Sequence, residues 1–67
     1  MPRFPLTPGN LVKHETLRVA YVEHGKGRSF AYVEKESERG LSDEELMANA
    51  VRFFEQNIDF YDPPPRE

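Results

Sequence analysis

The strongest pattern in the chain is one amphipathic stripe. Leu46, Met47, Ala50, Val51, Phe54 and Ile58 recur at three- and four-residue spacing, and Phe53 widens the band. Side chains spaced this way share one side of a helix and have to be buried against another element. The start of the helix is equally well marked. Ser42 with Glu45 three residues later forms a capping box, and Leu41 with Leu46 supplies the flanking apolar staple. Asp43, Glu44 and Glu45 place negative charge at the positive end of the helix dipole. Asn57 suits a left-handed terminator. The pattern predicts a helix over residues 43–56.

Two further segments have strand character. Residues 16–23 and 29–35 are rich in β-branched and aromatic side chains. Between them stands His24-Gly25-Lys26-Gly27-Arg28, whose two glycines can take the positive φ that hairpin turns require. A β-hairpin is therefore expected. Residues 58–61 alternate weakly before Asp62 and three prolines. They read as a short third strand beside the hairpin, or as an extended segment over the core, with the strand preferred.

The ends are governed by proline. Residues 1–10 hold three prolines and a glycine, which argues for an extended arm, pinned by Phe4 and Leu6. Residues 63–67 read as a short polyproline tail. The expected organisation is an arm over 1–10, one α+β domain over 11–62, and a tail over 63–67. In that domain an antiparallel hairpin packs against one helix. Residues 34–40 lack any apolar side chain and read as a solvent-exposed connection.

Size limits what such a domain can do. A chain of 67 residues buries only about 60% of its unfolded surface. It contains no cysteine for a disulfide, and His14 and His24 alone give no zinc-binding set. The remaining routes to stability are a well-made core or self-association, and a homodimer is one expected state. No apolar run resembles a signal peptide or a membrane span, so cytoplasmic residence is the expectation.

Charge is distributed unevenly. Residues 11–35 hold five Lys/Arg against three Glu, whereas residues 36–62 hold eight Asp/Glu against two Arg. The second half thus offers an acidic surface of Glu36, Glu38, Asp43 and Glu44, able to steer a basic partner.

Both faces of the hairpin carry large apolar groups. If Lys26 and Gly27 form a two-residue loop, Ala20, Val22, Ala31 and Val33 share one face. Leu17, Val19, Tyr21, Phe30 and Tyr32 then share the other. A three-residue loop would shuffle these sets and still leave apolar groups on both sides. One helix covers one face of a sheet. The aromatic set Leu17, Val19, Tyr21, Phe30 and Tyr32 is thus the candidate partner-binding surface, unless the arm or residues 58–61 fold across it.

The search for chemistry finds no catalytic constellation. There is no cysteine nucleophile, and no serine has a Gly-x-Ser-x-Gly setting. Gly25-Lys26-Gly27-Arg28 lacks the length and ending of a phosphate loop. His24 beside the turn reads as solvated. No catalytic residue, metal site, cofactor or small-molecule substrate is expected. The reading is a non-catalytic protein-interaction module: an inhibitor, adaptor or assembly factor. The alternative is nucleic-acid binding, with Arg18, Lys26 and Arg28 interleaved among the hairpin aromatics.

Overall fold

A computed structural model describes residues 5–25 and 27–62. The elements run β1 (Leu6–His14), β2 (Leu17–His24), β3 (Ser29–Val33), a single 3-10 turn at Glu36–Glu38, α1 (Asp43–Gln56) and α2 (Ile58–Tyr61). The three strands form one antiparallel sheet in the order β1-β2-β3, and α1 packs across β1 and β2. The expected α+β architecture, a hairpin against one long helix, is present.

The helix follows its sequence signals closely. The Ser42 hydroxyl accepts from the Glu45 N–H at 3.2 Å, and the Glu45 carboxylate accepts from the Ser42 N–H at 2.9 Å. Leu46, Ala50 and Phe54 are buried, and Met47, Val51 and Phe53 pack at the margin. The end differs from expectation. Asn57 has φ −116°, not a left-handed value, and its side-chain amide donates to the Phe53 carbonyl at 2.8 Å. The Asn57 backbone N–H donates to the same carbonyl at 3.1 Å, so backbone and side chain of one residue close the last turn.

The third strand exists, but at the other end of the chain. Residues 6–10, read as part of an extended arm, are the start of β1. Proline is tolerated there because β1 is an edge strand, and Pro8 lies beside a break in register between Pro8 and Leu11. A Cβ on Gly9 would lie 2.5 Å from the Tyr21 carbonyl oxygen, so this irregular stretch needs glycine. Glu15, at φ 59°, makes the tight connection to β2.

Residues 58–61 form one helical turn, not a strand. The position beside β2 is already taken by β1, and the chain keeps winding past Asn57. Phe60 N–H donates to the Asn57 carbonyl at 3.0 Å, and Asp62 N–H donates to that of Ile58 at 2.7 Å. The turn lays Tyr61 against Phe54, Phe53 and Phe30, with centroids 5.0, 6.1 and 5.7 Å away. The Pro-rich tail at 63–67, Phe4 and Lys26 lie outside the described residues.

The β2–β3 loop has three residues. His24 N–H donates to the Arg28 carbonyl at 3.0 Å, and Gly25 and Gly27 both have positive φ. Val22 therefore pairs with Phe30, Ala20 with Tyr32, and Tyr21 with Ala31. Ala20, Val22, His24, Phe30 and Tyr32 face α1. The core is Ala20, Val22 and Tyr32 against Leu46, Ala50 and Phe54, with Leu6 and Leu11 closing the β1 side.

Candidate interaction surface

The register decides which apolar residues are left for a partner. Phe30 and Tyr32 belong to the core. Tyr32 meets Phe53 and Phe54 edge-on at 5.3 and 6.2 Å, and Phe30 packs on Phe54 at 5.1 Å. The five-residue aromatic set is therefore divided. Leu17, Val19 and Tyr21 stay on the outer face; Phe30 and Tyr32 leave it, because a three-residue loop shifts β3 by one residue relative to a two-residue one.

The outer face gains two members in exchange. Val12 pairs with Val19, and Val19 pairs with Val33, so three valines form a row across all three strands. Tyr21 and Ala31 form the next row. Beyond them Thr7, Glu23 and Ser29 make a polar row at the β2–β3 turn. Val12 is 45% exposed, Val33 52% and Tyr21 37%. No described element covers them. The surface is thus apolar through its middle and polar at one end.

The other face carries an ionic anchor. Arg18 lies on the helix side, one residue beyond the valine row. Its backbone N–H donates to Glu34 Oε1 at 2.8 Å, and Nη2 donates to Oε2 at 3.0 Å. Nη1 reaches the Leu41 carbonyl at 2.8 Å and Asp43 at 2.9 Å, and Nη2 also reaches the Glu38 carbonyl at 3.0 Å. The guanidinium hydrogen bond and the backbone N–H hold the Glu34 carboxyl below its ordinary range. Residues 34–40 are therefore not simply solvated. Glu34 and Glu38 are buried because Arg18 and Tyr32 supply donors that sequence composition does not reveal.

Glu38 accepts from the Tyr32 hydroxyl at 2.6 Å, from Lys35 N–H at 2.7 Å, and weakly from Asn49 at 3.4 Å. Burial pushes its carboxyl up, and these three donors more than offset that, leaving it below the ordinary range. Burial, then the bond to Glu38, pushes the Tyr32 hydroxyl up to about 12. Of the proposed acidic surface, Glu36 and Glu44 are exposed and Asp43 is exposed while paired with Arg18; Glu38 is internal.

His24 is not solvated as expected. It is 1% exposed, stacks on Phe30 at 5.6 Å, and its Nε2 lies 2.8 Å from Asp62 Oδ2. The burial follows from parity with Ala20 and Val22, and from an acid 38 residues further along. Arg28 is half exposed and stands 3.5 Å from Asp62. Of the three basic residues in the nucleic-acid alternative, Arg18 is thus turned inward, Arg28 is beside an acid, and Lys26 is outside the described residues. Among the described residues, no group of three or more His, Asp or Glu is placed to hold a metal, and no helix is long and apolar enough to cross a membrane.

Comparison with protein families, with curated proteins and with solved structures finds no match to this chain.

Proposed function

We propose that the domain is a non-catalytic protein-binding module, acting as an inhibitor, adaptor or assembly factor. Its docking surface is the outer sheet face, built on Val12, Val19, Tyr21 and Val33. The observation that carries this reading is the uncovered valine row. An apolar row spanning every strand of a sheet serves no packing purpose where, as among the described residues, no element lies over it. Tyr21 beside it offers a large contact area at low entropic cost. Exposed Glu36 and Glu44 in the helix layer, with Asp43 paired to Arg18, add a negative field that would steer a basic partner toward the domain.

Affinity capture with the full chain tests the reading, run beside a Val12→Lys/Tyr21→Ser variant. Both substitutions sit on exposed side chains, so the circular dichroism spectrum should not change. A protein retained by the wild type and lost by the variant is the expected result. Retention of the same proteins by both, or of none by either, overturns it.

A further inference from the structure

The two edges of the sheet are treated differently. An unpaired edge strand is a template for another strand, and proteins normally blunt it with proline, charge or a bulge. β1 has all three: Pro8, which lacks an N–H, the register break before Leu11, and Lys13. β3, Ser29-Phe30-Ala31-Tyr32-Val33, has no proline, charge or bulge.

The ladder shows which groups that edge presents. Glu34 N–H donates to the Arg18 carbonyl and His24 N–H to the Arg28 carbonyl, so the even-numbered residues of this segment bond to β2. By the alternation of an antiparallel ladder, Ser29, Ala31 and Val33 turn their N–H and carbonyl groups outward. All three have exposed side chains. The outward row is small, uncharged and, among the described residues, paired with no strand.

We propose that β3 pairs antiparallel with β3 of a second copy, about a twofold axis at Ala31, to give a continuous six-stranded sheet. In this register Ala31 faces itself, and Ser29 and Val33 exchange hydrogen bonds with each other across the axis. Phe30 stands opposite Tyr32 of the partner copy, an aromatic cross-strand pair of the favoured kind. The strand is complementary to itself, which is why a second copy is the occupant. This interface uses the edge and does not depend on the outer-face reading.

Sedimentation equilibrium of the full chain, with Ala31→Lys and Ala31→Glu variants, tests the proposal. The wild type should dimerise. Each variant should dimerise about tenfold more weakly, because like charges directly oppose each other at the axis. An equimolar mixture of the two should recover a dimer, since Lys then faces Glu. Val12→Lys, on the same face at the far edge, should leave dimerisation unchanged. A monomeric wild type, an unchanged mass for either Ala31 variant, no recovery in the mixture, or loss of the dimer in Val12→Lys would each overturn it. Recovery in the mixture also shows that the variants fold.

Discussion

Glu34 accepts both the backbone N–H and the guanidinium of Arg18, on a carboxylate almost removed from water. The pair sits at the far end of the β2–β3 ladder, where the chain leaves the sheet for the helix. Removing the carboxylate charge strands a guanidinium among carbonyls and one exposed acid. Glu34→Gln should therefore lower the thermal midpoint clearly, whereas Glu36→Gln, on an exposed neighbour, should change stability by no more than about 0.5 kcal/mol. Parallel thermal melts of the two variants check this. Equal midpoints would mean the anchor contributes nothing.

Stability should depend on pH at both extremes. Glu34, Glu38 and Asp62 have carboxyls held below their ordinary range, Asp62 by its bonds to His24 and Arg28. The unfolded chain then takes up protons first as pH falls, so their contribution is complete above the ordinary carboxylate range and is lost below it. Tyr32 has the opposite sign: its hydroxyl is raised to about 12, so its contribution is complete below about 10 and declines as pH rises toward 12. Urea midpoints measured across this range should show a plateau with both shoulders. In Tyr32→Phe the alkaline shoulder should shrink.

Tyr32→Phe isolates the buried hydroxyl at neutral pH. The ring contacts with Phe53 and Phe54 survive the substitution, but Glu38 loses its shortest donor. The expected loss is about 1–3 kcal/mol, the range for a buried acceptor left short of a partner. Chemical denaturation measures it. A stability equal to wild type would show that Lys35 and Asn49 suffice for the carboxylate.

Gly9→Ala addresses the irregular edge of β1. The new methyl group would sit 2.5 Å from the Tyr21 carbonyl and 3.2 Å from Glu23 Cγ. The carbonyl belongs to the central strand and cannot yield freely, so β1 must shift. A loss of about 1–3 kcal/mol is expected by denaturation, and an amide spectrum should place the largest changes at residues 6–11 and 20–24. Gly40→Ala, with open space at its Cβ, is the matched control.

The parts of this fold legible in the sequence were those encoded by near neighbours. The helix with its Ser42–Glu45 box and the β2–β3 hairpin both rest on contacts within a few residues. β1 was hidden because Pro8 and Gly9 remove the strand signature where edge position makes them tolerable. The outer surface was only partly legible. Leu17, Val19 and Tyr21 could be placed on one face from parity, but exchanging Phe30 and Tyr32 for Ala31 and Val33 depended on one extra loop residue. Glu34 and His24 looked like solvent-facing groups because their partners are remote: Arg18 lies 16 residues from Glu34, and Asp62 lies 38 from His24. Glu38 has near partners in Tyr32 and Lys35, but they meet it only because the 3-10 turn at Glu36–Glu38 folds it inward.

The Arg18 anchor also bears on how the molecule comes apart. One guanidinium holds groups 16, 20, 23 and 25 residues downstream, spanning the whole passage from sheet to helix. A segment that by composition resembles a loose linker is thereby tied to the central strand at four points. Opening it alone means breaking these ties together, so its protected amides should exchange more slowly than those of an ordinary surface loop.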